Sequence, residues 1–568
     1  MNKTRTKSNF SRLAVAAFAL VFVACTAVPA SSPAGVNAPS SKGGPVIGPE
    51  ETPVPEYGGD PSLKDLGNGI SVGTSVHNDT SKPLRDIEPI TPGPKSDKPL
   101  IEKENPPLPL KDHIDKDDEV LQDSFGNTIN AVNAMVIGAG FQGINQAGGC
   151  GNCAPPDTNG DVGPNHYVQS VNSSFAVYSK TGTKLYGPAN INTLWSGFGG
   201  ACQTRNDGDP IVLYDSMADR WLVSQFTAAS PYYECVAISQ TGDPLGAWYR
   251  YAFQLSTTDF PDYPHLGVWP DGYYMSVNIF LNGSSYGGPR PYVFDRAKML
   301  AGQPATFQTT SKALGSGVNP IMPADLDGAT LPATGAPNVF VGFGSTMKLY
   351  KFAVNWTTPS ATTWTQHATL APAGFTALCT TGRNCVPQRG TAQKLDGLGD
   401  RLMNRVAYRN LGTSESLLVS HAVMAGSSKR TQAAAMRWYE IRNPAATPSI
   451  YQQGTFSPDT TWRWMGSVAM DKNGGIGLGY SASSGTLYPS IRATGRLATD
   501  ALGQMTQGES SLYAGTGFQN GVNRWGDYSN LSIDPVDGCT FWFTTEYNNS
   551  GGWAWSTYIG SFKLPNCQ

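Results

Sequence analysis

The stretch RWGDYSNLSIDPVDGCTFWFTTEY, residues 524–547, combines a polar and aromatic opening, a β-rich run, a turn with Asp and Gly, and a second β-rich run. The same order recurs in RWMGSVAMDKNGGIGLGYS, residues 463–481. β-Branched and aromatic residues favour strands, whereas Gly, Asp and Asn favour the turns between them. Each stretch therefore predicts a β-hairpin, and the likeness of the two predicts a structural repeat.

Five further stretches follow this order. They are PPDTNGDVGPNHYVQSVN (155–172), DPIVLYDSMADRWLVSQF (209–226), DYPHLGVWPDGYYMSVNIF (262–280), PADLDGATLPATGAPNVFVGF (323–343) and RVAYRNLGTSESLLVSHAV (405–423). Each copy continues into one or two more strands, and about four antiparallel strands per copy are typical of a β-propeller blade. We predict an all-β fold, a propeller of about seven four-stranded blades, with six blades or two β-sandwiches as alternatives.

Two short segments complete this prediction. The apolar stretch NAMVIGAGF (133–141) is expected to supply the strand that closes the ring, and DRAKMLAG (295–302) is the plausible helical turn. Composition agrees with many short strands, because the chain has 64 Gly, 42 Pro and 10% aromatic residues. Net charge is −3 and only 15% of residues are charged, which argues against a nucleic-acid partner.

The N-terminus has the pattern of an export signal. Basic residues precede LAVAAFALVFVAC (13–25), which is too short to span a bilayer comfortably. FVAC, ending at Cys25, resembles a lipoprotein box, whereas AVPA, ending at Ala30, resembles an ordinary cleavage site. We therefore expect a signal peptide at 1–25 and an exported monomer that is secreted, periplasmic or outer-membrane-anchored. Any membrane contact would be through a lipid on Cys25.

Residues 31–118 are rich in Pro, Gly, Ser, Asp and Lys, with apolar residues scattered singly. Such a composition buries too little apolar surface to offset chain entropy. It predicts a disordered tether before a propeller domain at 127–568.

Eight cysteines remain beyond Cys25, which in an exported protein implies disulfides. Nearest-neighbour pairing would join Cys150 with Cys153, Cys202 with Cys235, Cys379 with Cys385, and Cys539 with Cys567. A redox-active pair or half of a zinc site are the alternatives for CGNC (150–153), but no second CxxC is present.

The loops that lead into the innermost strands of a propeller usually surround a funnel. In this chain the first four repeat openings carry Asp residues and the last three carry Arg residues. On a ring of blades, this order would place a group of carboxylates opposite a group of arginines. Candidate catalytic residues are Asp209, Asp262, Asp327, Asp527 and Tyr528. Candidate substrate-binding residues are His265, Arg405, Arg463, Arg524, Trp464 and Trp525. Two carboxylates can act as acid and base on a sugar, and arginines can hold an anionic group. The alternative is that these residues cap turns and stack between blades.

A cation site must also be weighed. Asp157, Asn159 and Asp161 have the D-x-N-x-D spacing of calcium loops. An EF-hand would need Gly and Glu where Val162 and Val168 stand, and an Asx-rich turn is the alternative. No cofactor is required by the sequence, and a structural calcium is the only one it suggests.

The segment SQTGDPLGAW (239–248) resembles the strand-turn-strand of propeller glycoside hydrolases of the arabinanase and xylosidase type, and more distantly the Asp box of sialidases. The first resemblance implies an Asp base, an orienting Asp and a Glu acid; Asp209, Asp262 and Asp327 are the stand-ins, without a matching Glu. The second implies an arginine triad with a Tyr nucleophile. Arg405, Arg463 and Arg524 with Tyr488 or Tyr528 would be analogous, although the RIP motif and repeated Asp boxes are absent.

Two functions follow from these observations. The first is an exported propeller that binds, and hydrolyses or cleaves, an anionic polysaccharide in its funnel, as a glycoside hydrolase or polysaccharide lyase would. The second is a non-catalytic scaffold for binding or adhesion at the cell surface, because no complete catalytic motif is present.

Overall fold

A computed structural model describes residues 63–93, 100–101, 117–125, 135–380, 382–426 and 431–567. The predicted signal peptide, with Cys25 and Ala30, lies outside these residues, as do parts of the predicted tether. Within the described ranges, no helix is both long and apolar enough to cross a membrane.

The hairpin at 463–481 shows how a repeat folds. Its strands are Trp462–Met470 and Ile476–Ser483, paired antiparallel around a turn that begins at Asp471. One oxygen of the Asp471 carboxylate accepts hydrogen bonds from the amides of Asn473 and Gly475, each at 2.8 Å. The Asp therefore organises the turn that its position after the β-rich run predicts.

Seven four-stranded antiparallel sheets, here called blades 1 to 7, follow one another around the chain. In blades 1 to 3 the strands, from the inside outwards, are Asn159–Val162, His166–Val171, Ser174–Ser179 and Lys184–Asn190; Ile211–Asp215, Arg220–Phe226, Tyr232–Ser239 and Trp248–Ser256; and Phe260–Trp269, Gly272–Leu281, Ser285–Phe294 and Thr306–Thr310.

In blades 4 to 6 the strands are Ile321–Asp327, Asn338–Gly342, Met347–Ala353 and Thr363–Leu370; Val406–Asn410, Glu415–Ala425, Ala433–Arg442 and Ser449–Phe456; and Trp462–Met470, Ile476–Ser483, Ser490–Arg496 and Glu509–Tyr513. Blade 7 contains Asn530–Ile533, Phe541–Asn548, Trp555–Lys563 and, outermost, Val136–Asn145.

The innermost strands form a closed ring. Each contacts the innermost strand of the next blade, and that of blade 7 contacts that of blade 1. Apolar clusters fill the spaces between neighbouring blades. The molecule is therefore a seven-bladed β-propeller, as predicted, and six blades are excluded.

The strand that closes the ring is the predicted one. Val136–Asn145 precedes blade 1 in the chain but pairs antiparallel with Trp555–Lys563 of blade 7. Blade 7 thus joins an early strand to the last three strands of the chain, which locks the ring by main-chain hydrogen bonds.

The predicted tether boundary is wrong in part. Ile70–Thr74 adds a fifth strand to blade 3, and His77–Thr80 adds one to blade 2. Ile70 and Leu84 are fully buried, so these few apolar residues dock against a preformed sheet edge rather than forming a core of their own. Composition averaged over 31–118 hides this docking. Two-residue strands at Lys64–Asp65, Leu100–Ile101 and Leu121–Gln122 also pair with the folded part.

The remaining elements are short. Four small strands are Cys153–Ala154, Thr376–Ala377, Asn384–Val386 and Leu395–Asp396. The helices are Gln146–Gly149, Gly200–Thr204 and Arg296–Leu300, with 3₁₀ turns at Leu84–Asp86, Ile191–Trp195 and Pro359–Ala361. The helix at Arg296–Leu300 was predicted, and the Asp295 side chain caps it by accepting from the Lys298 amide.

All four disulfides join nearest neighbours in sequence, which confirms the predicted pairing of Cys150–Cys153, Cys202–Cys235, Cys379–Cys385 and Cys539–Cys567. Disulfides persist in oxidising compartments, so they indicate an exported protein.

Candidate functional site

The ends of the innermost strands nearest the blade openings meet at one end of the ring axis. Asp157, Asp209, Tyr263 and Met465, at or just before these strands in four blades, have positive φ angles of 42°, 44°, 58° and 48°. Non-glycine residues avoid this backbone region, and residues held there are often found at functional sites. The shared conformation turns the chain from each opening into the channel.

The side chains gathered at this end are here called the axial cluster. It consists of Asp157, Asp209, Asp262, Tyr263, His265, Asp400, Arg401, Asn404, Arg524, Asp527 and Tyr528, all less than 9% exposed. Six of these were predicted from the sequence as catalytic or binding residues, namely Asp209, Asp262, His265, Arg524, Asp527 and Tyr528. The structure brings these six together from blades 2, 3 and 7.

Tyr528 lies at the centre of the axial cluster. Its hydroxyl is 3.3 Å from Oδ2 of Asp209 and 3.1 Å from the carbonyl oxygen of Pro264. Its ring is 5.1 Å from that of Tyr263 and 5.3 Å from that of His265. Burial, reinforced by the negative charge of Asp209, raises the pKa of Tyr528 well above 10. The phenol is therefore a proton donor at neutral pH.

The side chain of Asn404 determines which ring nitrogen of His265 carries the proton. Nδ1 is 3.2 Å from Oδ1 of Asn404, whose amide nitrogen donates to the carbonyl of Ser529 and to Oδ1 of Asn530. Because the Asn404 amide is oriented by these bonds, Nδ1 carries the proton and Nε2 is the basic nitrogen. Nε2 is buried and has no hydrogen-bond partner among the described residues. Burial lowers the pKa of His265 to about 4, which keeps the ring neutral.

A chain of hydrogen bonds ties the openings of blades 7, 1 and 2 together. Arg524 donates to both oxygens of Asp527, at 2.7 and 2.9 Å. The amide of Asp527 donates to Asp157 at 2.6 Å, and Asp157 also accepts from the side chain of Asn172. Asn172 in turn accepts from the amide of Asp209 at 2.9 Å. Arg524 acts against burial to lower the pKa of Asp527, so this carboxylate is ionised.

The connection between blades 4 and 5, residues 371–405, supplies three members that were not among the sequence candidates, namely Asp400, Arg401 and Asn404. Arg401 forms a two-bonded ion pair with Asp400, at 2.7 and 3.0 Å, and its guanidinium lies 5.1 Å from the centre of the Tyr263 ring. Asp396 of this segment pairs with Arg383 at 2.7 Å and lies 3.5 Å from Arg524. These residues interrupt the repeat instead of following it, and only the length of the segment and its Cys379–Cys385 pair single it out.

A carboxyl group of blade 7 lies beside the axial cluster. Glu546 is 1% exposed, and its Oε2 accepts from the amide of Gly526 at 2.8 Å. Burial raises its pKa well above 4.5, and the charge of Asp527 adds to this effect. Sequence reasoning missed Glu546, because it lies on the second strand of its blade and not at an opening.

Asp327 and Arg405, which were predicted as catalytic and substrate-binding residues, lie deeper along the axis and outside the axial cluster. Arg405 donates to Asp325 at 2.8 Å and to Asp327 at 2.6 Å. Burial raises the pKa of Asp161 to about 7 and that of Asp325 to about 6, and Arg405 opposes both shifts. The expectation of an arginine arc facing a carboxylate arc is thus wrong, because Arg405 pairs directly with the carboxylates of blade 4.

Arg463, Trp464 and Trp525 are structural, contrary to the prediction that they bind substrate. Arg463 pairs with Glu509 at 2.7 Å on the outermost strand of its own blade. Trp464 and Trp525 are buried in one apolar cluster, and Nε1 of Trp525 is 3.2 Å from Oγ of Ser481. Trp464 and Trp525 pack blade 6 against the opening of blade 7.

The residues predicted to hold calcium bind backbone amides. Asn159 accepts from the amide of Val212, and Asp161 from that of Tyr214, each at 2.8 Å. Asp157 accepts from Asp527, as described above. No group of three or more His, Cys, Asp or Glu residues in the described ranges is arranged to hold a metal ion. The geometry therefore supports the alternative of an Asx-rich structural segment that ties blade 1 to its neighbours.

The comparisons with known proteins leave the family open. No protein-family model matches the chain, and a search of curated proteins finds no match either. Among solved structures, the N-terminal domain of Nup159 matches 78% of this chain and 99% of its own, at 10% identity and a TM-score of 0.33.

Two carbohydrate-active enzymes are also among the structural matches. An endo-arabinase from Bacteroides thetaiotaomicron matches 52% of this chain and 95% of its own, at 14% identity and a TM-score of 0.25. A PL25 ulvan lyase bound to -[GlcA(1-4)Rha3S]- matches 74% and 81%, at 11% identity and a TM-score of 0.24. These likenesses are weak, and the fold assignment rests on the strand pairing and the closed ring.

Proposed function

We propose that the axial cluster is a saccharide-cleaving site of an exported protein. The observation that carries this proposal is the buried Nε2 of His265, a basic nitrogen without a partner among the described residues, on a ring whose centre lies 5.3 Å from that of Tyr528. A buried polar atom without a partner is costly unless a ligand or water supplies the missing bond. A neutral imidazole and a protonated phenol can accept and donate a proton on opposite sides of one bond.

His265 is assigned the role of general base and Tyr528 that of general acid. Asp209 orients the Tyr528 hydroxyl, and Asn404 fixes the tautomer of His265. The base would take a proton either from a water that attacks the sugar or from a sugar carbon, and the acid would protonate the leaving oxygen. Hydrolysis and elimination are then distinguished by their products.

The chemistry of the glycan is the finer part of the proposal. Each arginine of the axial cluster is paired with an aspartate, and carboxylates outnumber arginines there. A neutral saccharide therefore fits this charge better than the anionic one expected from the sequence.

The test is a panel of neutral, uronate-containing and sialylated polysaccharides incubated with the purified protein. New reducing ends without ultraviolet absorbance indicate hydrolysis, and an unsaturated, absorbing product indicates elimination. His265→Gln should lower kcat by roughly 10²- to 10⁴-fold, because it removes the base. His421→Gln is the matched control, since His421 is also buried but bonds Tyr439 in blade 5. A panel without any product, or equal effects of the two variants, would argue against a cleaving site.

One observation favours a second function, that of a non-catalytic surface scaffold. The arginines of the axial cluster are buried, and each forms a two-bonded ion pair with an aspartate, as in a channel filled for stability. If the scaffold function is right, Asp209→Asn and Asp262→Asn should leave the cellular phenotype unchanged. Its proposed location is secreted, periplasmic or anchored through Cys25, and mass spectrometry of the mature N-terminus would distinguish these processing routes.

A further inference from the structure

An open groove lies near the outer edges of blades 3 and 4. Its volume is about 420 Å³, which is within the range of sites that bind small molecules. The outermost strand of blade 4, the docked strand Ile70–Thr74 and the residues that follow Thr306–Thr310 supply its walls. This lateral groove, as it is called here, is lined by Asn68, Ile70, Ser311, Lys312, Leu314 and Trp364. It is separate from the axial cluster, whose members lie at the ring axis.

Trp364 presents a fixed aromatic surface in the lateral groove. Its indole is nearly parallel to the ring of Tyr350, at 9° with ring centres 5.2 Å apart, and Phe340 and Phe352 lie nearly perpendicular to it. These neighbours orient the indole and leave it only half-buried. Its N–H makes no hydrogen bond to the residues that the structure describes. The groove therefore has both an aromatic ring and a donor available to a ligand.

The wall opposite blade 4 is held in place by Asn68. Its side-chain amide donates to the carbonyl oxygens of Ser360 and Thr362 in blade 4, at 3.0 and 3.4 Å. Its Oδ1 accepts from the amide of Ile70 at 3.3 Å, at the start of the docked strand. A Cβ atom on Gly69 would meet nothing within 4 Å, so the space beside this turn is open. A preformed wall reduces the entropy that a ligand loses on binding.

The lining of the lateral groove carries little net charge. Lys312 is the only charged residue among the described residues that line it. Its charge acts on Asp65, which also accepts a hydrogen bond from Ser311 at 2.9 Å. Because this carboxylate balances the lysine, the groove suits a neutral ligand that can form hydrogen bonds.

We infer that the lateral groove binds a neutral saccharide, with one sugar ring lying on the indole of Trp364. The apolar C–H face of a sugar packs on an aromatic ring, and its hydroxyl groups require nearby donors and acceptors. The indole N–H and the polar side chains of Asn68, Ser311 and Lys312 supply them. Such a site would hold a polysaccharide on the outside of the ring. Binding there does not depend on the proposed cleavage in the axial cluster.

The test is calorimetric titration of the full-length protein with unbranched hexasaccharides of glucose, xylose, arabinose and galacturonate. The protein carries His265→Gln throughout, so that the axial cluster does not consume the probe. Saturable binding of at least one neutral probe is expected, and Trp364→Ala should weaken it roughly tenfold, because the aromatic surface and its donor are lost. Trp356→Ala is the matched control, since Trp356 is also half-buried in blade 4 but bonds the carbonyl of Asp271 and does not line the groove.

A second measurement covers a Trp364 variant that fails to fold. Crystals of the His265→Gln protein soaked in the tightest-binding neutral hexasaccharide should show a sugar ring parallel to the indole of Trp364. Absence of binding, tighter binding of the galacturonate probe, equal losses in the two tryptophan variants, or sugar only in the axial cluster would overturn the inference. The polysaccharide panel tests cleavage separately, so product release together with an affinity unchanged by Trp364→Ala would reject this site alone.

Discussion

Tryptophan and tyrosine serve different purposes within RWGDYSNLSID (524–534). Trp525 packs against Trp464, with ring centres 5.9 Å apart, and so repeats the architecture of blade 6. Asp527 and Tyr528 have no counterparts in the copy that begins at Arg463, and both lie in the axial cluster. A residue that departs from its repeat therefore located the site better than the residues that follow the repeat.

His265 makes stability depend on pH in a direction that can be calculated. Its pKa is about 4 in the folded protein, because of burial, and 6.5 in the unfolded chain. Between these values the folded state therefore binds fewer protons than the unfolded chain. The contribution of neutral His265 to the free energy of unfolding is fully present above pH 6.5 and is lost as the pH falls towards 4. The loss approaches about 3 kcal/mol.

Urea unfolding of the wild type and His265→Gln between pH 4 and 7 measures this effect. The two stability curves should diverge below pH 6.5, with the wild type losing more, while other titrating groups cancel between the two proteins. Parallel curves would show that His265 keeps its ordinary pKa.

The sequence predicted the members of the axial cluster that open a repeat and missed those that do not. Asp209, Asp262 and His265 stand at the openings of their repeats, so their position at one end of the axis could be inferred. Asp400 and Asn404 lie in an insertion, where no period relates sequence to space. Pairing could not be predicted either, because whether Arg405 faces a ligand or Asp327 depends on the distance between two blades.

The closing strand Val136–Asn145 is an element whose two ends should differ in importance. Ile144 is 1% exposed and packs between blades 7 and 1, whereas Ile137 is 45% exposed on the same strand. Ile144→Ala should lower the free energy of unfolding by about 2–5 kcal/mol, and Ile137→Ala by less than about 0.5 kcal/mol. Denaturant unfolding measures both. Equal losses would mean that the strand acts only through its main chain.

The segment at 63–93 contains docked strands that its composition did not predict. Polar residues surround a few apolar ones, which is the pattern of a tether. A strand that joins an existing sheet needs only edge hydrogen bonds and one or two anchors, as with Ile70 and Leu84. Such docking leaves almost no periodic signal, whereas the seven hairpins repeat theirs.

The disulfides should contribute unequally to the free energy of unfolding of the whole molecule. Cys539–Cys567 spans 28 residues and holds the chain end to blade 7, whereas Cys379–Cys385 spans 6. Loop entropy predicts contributions of about 3.5 and about 2 kcal/mol, respectively. Paired Cys→Ala substitutions and urea unfolding compare them. A larger loss for the shorter loop would mean that strain, not chain entropy, dominates.

Ring closure also determines when blade 7 can form as the chain is synthesised. The side chain of Ser561 bonds the carbonyl of Ala139 across 422 positions, so blade 7 cannot assemble until the strand Trp555–Lys563 has been translated. Contacts this distant in sequence form slowly. A growing chain therefore lacks its final blade throughout synthesis and leaves the edge of Val136–Asn145 unsatisfied. An unpaired strand edge can pair with another chain, so this delay makes wrong pairing possible until Trp555–Lys563 is available.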